Sequence, residues 1–222
     1  FVVRGSPEIP GIDKGQLESI RKELQDVDMQ ILDKGIDNLQ SCFGDYCTET
    51  IADAQSLLKK VNKLVKDLDI NNQKIKISGS GCPNACGIVH INDIGFHGAV
   101  EPVVEKSSCN GCGLCANVCK KKAIMIKDNL AIIDDEECKR CGHCISVCPT
   151  GAMKEGKKGF TVYLGGKEGK ETRLGIVVDE FLSENEALEL TKRCLTVLKE
   201  KNKNVSDIID EVGLEKFKKM IK

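Results

Sequence analysis

The chain has almost no net charge: 33 basic side chains face 34 acidic ones over 222 residues, for a formal charge of -1. That balance provides no strong field for nucleic acid or for an anionic lipid surface. Long apolar runs are missing too. No stretch approaches the ~20 apolar residues that a membrane span needs, so no membrane partner is expected. The opening FVVRGSPEIP has neither the basic start nor the apolar core of a signal peptide. It also lacks a methionine and reads as the middle of a strand, so residues are expected to have been lost or trimmed ahead of Phe1. The length suffices for one large domain or two smaller ones around a substantial core.

What the chain does hold is cysteine, thirteen in all. Eight fall into one repeated spelling, C-x2-C-x2-C-x3-C. The first run is Cys109, Cys112, Cys115 and Cys119. The second is Cys138, Cys141, Cys144 and Cys148, followed by Pro149. Neighbours three apart recur without a secretory context, which argues against a disulfide framework and for metal chemistry in a cytoplasmic setting. A zinc ribbon uses two C-x2-C knuckles, not two three-cysteine runs each with a fourth cysteine four residues on. The pattern is that of a bacterial-type ferredoxin carrying two [4Fe–4S] clusters. In it, three thiolates of a run wrap one cluster and the fourth crosses to the other. One cluster is therefore expected on Cys109, Cys112, Cys115 and Cys148, the other on Cys138, Cys141, Cys144 and Cys119. Pro149-Thr150-Gly151-Ala152 is the usual continuation after the second run, whereas Lys120 replaces the usual proline after the first. His143 reads as a polar loop residue.

Hydrophobic periodicity predicts helices over 14–26, 48–68 and 184–200, and one or two short helices in the tail from 205 to 222. Alternation predicts strands over 73–79, 91–100, 159–164 and 174–178, with a glycine-rich turn from Gly79 to Gly81. The order is α/β segment, ferredoxin, α/β segment. The expected fold class is α+β. A layered domain is built from residues 1–103 and 158–222, with a ferredoxin domain of residues 104–157 inserted in a loop. Cys194 lies on the apolar face of its helix and reads as an inert core thiol.

Two further pairs, Cys42-Phe-Gly-Asp-Tyr-Cys47 and Cys82-Pro-Asn-Ala-Cys86, lie upstream. Read from spacing alone, they are either one metal centre, a zinc site or core cysteines. Their surroundings are more specific. Ser80-Gly81-Cys82-Pro83-Asn84-Ala85-Cys86-Gly87, with Asp93-Ile94-Gly95-Phe96-His97-Gly98 after it, resembles the sirohaem–[4Fe–4S] signature of the sulfite and nitrite reductase family. Tyr163-Leu164-Gly165-Gly166-Lys167 and Arg173-Leu174-Gly175 resemble that family's C-terminal stretch. Arg4 and Ile9-Pro10-Gly11-Ile12 resemble its early strand and turn. A ferredoxin after the Cys-Pro-Asn-x-Cys segment resembles the anaerobic and small, single-repeat sulfite reductases. One departure stands out: the family's first pair is usually C-x5-C, and here it is C-x4-C.

The resemblance implies that Cys42, Cys47, Cys82 and Cys86 hold a third [4Fe–4S] cluster, with Cys86 also the axial ligand of sirohaem iron. It places Arg4, Ser78, Asn84, Gly165, Gly166, Lys167 and Arg173 against the macrocycle. A small oxyanion needs fixed cations. Lys74 and Lys76, two apart on the predicted strand and so on one face, are the expected substrate-facing residues together with Arg4. His90 and His97 read as polar residues on the strand after the cluster turn. The implied activity is the six-electron reduction of sulfite to sulfide. The nearest alternatives are nitrite reduction to ammonia, a non-catalytic electron-transfer subunit, and a ligand-sensing sirohaem subunit. An electron-donor protein is an expected partner. A second copy or a related subunit is expected to complete the cleft.

Overall fold

The computed structural model describes residues 11–27, 38–70 and 75–221. Arg4, Ile9, Pro10 and Lys74 fall outside them. Five strands form a mixed sheet in the order β1 (Asn38–Ser41), β2 (Lys76–Ser80), β3 (Ile94–Val104), β6 (Met153–Leu164) and β7 (Ile176–Leu182). The first three run parallel, and β6 is antiparallel to both β3 and β7. Between β3 and β6 the chain makes α3 (Leu114–Val118), a hairpin of β4 (Ile124–Lys127) and β5 (Leu130–Ile133), and α4 (His143–Ser146). Outside the sheet lie α1 (Leu17–Asp26), α2 (Ala54–Asp67), α5 (Glu184–Lys201), α6 (Val205–Val212) and α7 (Leu214–Met220). No helix among the described residues is long and apolar enough to cross a membrane.

The sheet's two faces differ because β residues alternate. Ile77, Ile94, Phe96, Phe160, Val162 and Leu164 point into one core, shared with Leu57 and Val61 of α2, Leu195 and Leu198 of α5, and Phe217 of α7. Cys194 is fully buried there, and burial pushes its thiol well above the usual range, as befits a core thiol. The opposite face carries Ser78, Ser80, His97 and Thr161, all buried although polar. The loop containing Cys82 and Cys86 reaches this face at Ser80, whose Oγ accepts the Gly87 amide.

Several boundaries differ from the sequence expectation, each for a tertiary reason. The apolar stripe from Ile51 suggested a helix from residue 48, yet α2 starts at Ala54. The amides of Ile51 and Ala52 donate instead to the Gly81 carbonyl at 2.7 and 3.1 Å. Asp53 then caps the helix, accepting from the Ser56 amide at 2.9 Å. Gly79 and Ser80 belong to β2 rather than to a turn, because parallel partners on both sides extend the ladder. His90 sits in a short 3-10 turn, Val89–Ile91, and not on a strand. The strand foreseen at 159–164 begins at Met153 and pairs with β3 from Val104↔Met153 to Ile94↔Leu164. The line drawn between residues 157 and 158 therefore falls inside a continuous strand. The last strand runs from Ile176 to Leu182 rather than 174–178.

Helix α5 opens with a capping box in which Ser183 Oγ accepts from the Glu186 amide and the Glu186 carboxylate accepts from the Ser183 amide. Ser183→Ala is expected to cost about 1 kcal/mol of folding stability, read as a lower denaturant midpoint at unchanged slope.

Candidate metal and cofactor centres

The two cysteine runs fold alike. Each three-cysteine loop turns back through left-handed residues at matching places: Gly111 and Gly113 in the first, Arg140 and Gly142 in the second. A short helix follows in each, and Cys115 and Cys144 point inward to a small core with Ile124, Ala131 and Met153. One hollow is lined by Cys109, Cys112, Cys115 and Cys148. A second, wider cleft is lined by Cys119, Cys138, Cys141 and Cys144. Each therefore takes three thiols from one run and the fourth from the other.

The electrostatics show these thiols crowding one another. Burial, and then the neighbouring Cys141 and Cys138 sulfurs, push the Cys144 thiol up to about 12. Burial followed by Cys112 and Cys109 raises Cys115. Unpaired, such groups stay protonated; a bound cation compensates the thiolates and releases the protons. Backbone amides already point at two of the sulfurs: Met153 N–H to Cys148 Sγ and Ala123 N–H to Cys119 Sγ, both at 3.3 Å. Hydrogen bonds of this kind set the potential of a sulfur-ligated cluster. A single tetrahedral ion would need four sulfurs within about 2.3 Å of one point. Among the described residues, no group of three or more His, Cys, Asp or Glu side chains is drawn together around a single ion.

The upstream pairs meet at the C-terminal end of β2. Cys42 Sγ accepts the Gly81 amide at 3.1 Å and the Gly44 amide at 3.5 Å, which sets it beside Cys82 despite the shortened C-x4-C loop. Burial raises the Cys82 thiol, opposed by the Asn84 amide, and Cys47, Cys86 and Cys42 raise it further. All four thiols thus share one locale. Cys86 is exposed, and its sulfur accepts the Asn84 side-chain amide at 3.0 Å. Ala85 and Ile88, on either side of it, adopt left-handed backbone at φ +55° and +57°. That conformation is a genuine outlier for a β-branched residue such as Ile88. Cys86, between these two residues, is exposed.

The loop is held from below. Gly87 N–H donates to Ser80 Oγ at 2.8 Å, and Asn92 Nδ2 donates to Ser78 Oγ at 2.5 Å. Gly98 admits it closely: a Cβ there would stand 2.2 Å from the Gly81 carbonyl oxygen. Ser78 is fully buried, and its hydroxyl accepts from Asn92 beneath this loop. From the side, the Gly175 amide donates to the His90 carbonyl at 2.6 Å, and Gly166 packs on the backbone of His90 and Asn92. Gly165 takes φ +75° in the same turn.

Among the described residues, three of the cations named from sequence have carboxylate partners. Lys76 Nζ pairs with Glu168 at 2.7 Å, and its amide donates to Asp93. Lys167 pairs with Glu171 at 3.3 Å. The Arg173 guanidinium meets Asp210 and donates to the carbonyls of Gly165 and Ser206, each at 3.2 Å. The Arg173 contacts fasten α6 to the turn that follows β6.

Sequence reasoning passed over one cluster. His97, on β3, is buried beside Tyr163 of β6. Its Nδ1 lies 3.1 Å from the Gly98 carbonyl and must donate to it, so Nε2 accepts from the Tyr163 hydroxyl at 2.9 Å. His90 meets the Tyr163 ring edge-on at 4.7 Å between centroids. The signal was the alternation Gly95, His97 on the face that also carries Ser78 and Ser80. Burial pushes His97 from the ordinary 6.5 down to about 4. Below pH 6.5 the unfolded chain takes up a proton that the folded one refuses. This contribution is therefore complete above pH 6.5 and lost as pH falls toward 4. The full effect is about 3 kcal/mol, and His97→Gln is expected to remove it. Comparing denaturant midpoints of the two proteins from pH 7 to pH 4 measures the difference.

Comparison with known proteins places this geometry. Residues 33–222 match the family described as the nitrite and sulphite reductase 4Fe-4S domain. The chain is 34% identical over 184 residues to the coenzyme F420-dependent sulfite reductase of Methanocaldococcus jannaschii, covering 81% of this chain and 29% of that protein. It is 28% identical over 228 residues to an anaerobic sulfite reductase subunit of Salmonella typhimurium, covering 96% of this chain and 66% of that one. The crystal structure of a dissimilatory sulfite reductase superposes with a TM-score of 0.70 at 20% identity, over 95% of this chain and 58% of the other. The chain thus spans less than two thirds of each of these proteins.

Proposed function

The chain belongs to the nitrite and sulphite reductase 4Fe-4S domain family, and from that premise we propose that it is the sirohaem-bearing part of a sulfite reductase. The observation that carries this reading is that Cys42, Cys47 and Cys86 all lie near enough to act on the Cys82 thiol, with Cys42 held at Gly81 and Cys86 exposed. These four residues would hold a [4Fe–4S] cluster and, through Cys86, the axial position of a sirohaem. The two cysteine-run hollows would each hold a further cluster, so that residues 104–157 work as an inserted ferredoxin domain. Bound there, the clusters supply one-electron transfer, and the sirohaem supplies an iron on which a small oxyanion is reduced.

The protein's own part is to hold, order and tune. The hollow of Cys109, Cys112, Cys115 and Cys148 is lined only by residues of the segment from Val104 to Met153. The cleft of Cys119, Cys138, Cys141 and Cys144 is lined also by Cys82, Pro83 and Asn84. The three thiol groups therefore stand in sequence, from the far end of the insert to the Cys82 loop. Asn84 lines that cleft and donates to Cys86 Sγ, which biases the sulfur's electron density. Reduction of sulfite to sulfide takes six electrons, breaks three S–O bonds and releases each oxygen as water. Arg4, Lys74 and Lys76, the last paired with Glu168, are the proposed anion-binding cations. The proposal is completed by a partner electron donor and by a companion subunit.

The test is anaerobic quantification of iron, labile sulfide and sirohaem per chain, followed by turnover with sulfite and with nitrite. About thirteen irons per chain, from three cubanes and one sirohaem, isobacteriochlorin absorbance bands and a preference for sulfite are expected. Iron–sulfur absorbance without those bands would make the chain an electron-transfer subunit. Faster turnover of nitrite would make it a nitrite reductase.

A further inference from the structure

The second cysteine run is fastened to the body of the protein at three points. Where β3 bulges between Val100 and Pro102, the Val100 amide donates to the Arg140 carbonyl at 2.9 Å. The Arg140 guanidinium, held by Asp135 at 2.9 Å, lies 5.9 Å above the Phe181 ring of β7. The third point is different in kind: His143 Nε2 meets the Glu49 carboxylate. Glu49 follows Cys47 by two residues, and His143 stands between Cys141 and Cys144. This one contact ties together two cysteine loops that belong to different thiol groups and lie 94 residues apart in sequence.

We propose that the Glu49–His143 contact is a positioning clamp that sets the separation of the Cys47 loop from the Cys141–Cys144 loop, and through it electron transfer between the clusters those loops hold. The inference rests on the iron–sulfur reading of both groups. Three physical points support it. The two loops face each other across a cleft lined by Glu49, Cys82, Asn84, Cys141 and His143, and this contact spans it. An ionised carboxylate accepting from an imidazole N–H is a directional, charge-assisted bond. Finally, the two side chains are 51% and 35% exposed. A pair so open to solvent adds little to folding stability, so geometry is the property it can control.

The experiment uses the anaerobically purified holoprotein. When reduced, neighbouring clusters interact magnetically, and the interaction broadens or splits their electron paramagnetic resonance signals. Glu49→Ala and His143→Ala are expected to keep the full iron content and unfolding midpoint but to lose that splitting. They should also lower kcat for sulfite, driven by reduced methyl viologen, roughly tenfold at unchanged KM. The double variant should be no worse than either single one. Glu49→Gln and His143→Gln, which retain an acceptor and a donor, should recover the splitting. Splitting that persists unchanged in both alanine variants would overturn the clamp and leave the proposed function standing. A wild-type protein with neither splitting nor sirohaem bands would overturn both.

Discussion

Replacing Cys86 with alanine is expected to remove sulfite turnover while sparing the two clusters of the inserted segment. The exposed Cys86 sulfur is the only proposed bridge between the upstream thiol group and a sirohaem. Its loop is anchored independently of it, by Gly87 on Ser80 and Asn92 on Ser78, so the substitution should leave the fold intact. Loss of outer partners of metal ligands costs about 10- to 100-fold in affinity or activity, and loss of the ligand itself should exceed that range. The isobacteriochlorin bands should vanish and about eight irons per chain should remain, four in each of the inserted cubanes. Retention of sirohaem bands and turnover in Cys86→Ala would assign the axial position elsewhere. Asn84→Ala gives a graded companion: it removes one N–H···S bond at 3.0 Å and should lower the potential of the site without emptying it.

The second large effect concerns the crossed fourth cysteines. Cys148 lines the hollow of the first run, and Cys119 lines the cleft of the second. Cys148→Ser should therefore disturb the cluster held by Cys109, Cys112 and Cys115, far from the Cys82 loop. Cys119→Ser should disturb the one that shares its cleft with Cys82 and Asn84. Each change should cost up to four irons per chain. Only Cys119→Ser should also erase the magnetic interaction with the upstream cluster, as followed by electron paramagnetic resonance of the reduced protein. If Cys148→Ser erased that interaction instead, the order of centres proposed here would be reversed.

Much of the candidate site was legible in the sequence, because the close spacing of cysteines is a local property. A C-x2-C-x2-C loop can close on a single cubane within a few residues, so the eight cysteines of the two runs announce themselves by spacing. The Ser80–Gly87 and Tyr163–Gly175 segments carried the family resemblance for the same reason. Helix periods were visible too, as in α5 with its capping box at Ser183 and Glu186. The errors lie where a distant partner overrides a local pattern. The start of α2 moved to Ala54 because the Gly81 carbonyl captures the amides of Ile51 and Ala52. Ser78 and the Arg173 guanidinium, expected from the resemblance to contact the cofactor, also meet Asn92 and Asp210, partners that the sequence did not show.

Cysteine spacing, together with the resemblance of short segments to a known family, was enough to suggest that family and to nominate twelve of the thirteen cysteines as ligands. Short-range backbone geometry encodes those features, so they survive without tertiary knowledge. Packing alone decided three things: that Cys42 lies beside Cys82 despite its shortened loop, that one cleft joins the second cysteine run to the Cys82–Asn84 segment, and that Glu49 reaches His143 across it. Each depends on strands β2, β3 and β6 bringing distant segments together. That pairing follows from the buried face of the whole sheet, not from the residues at either site.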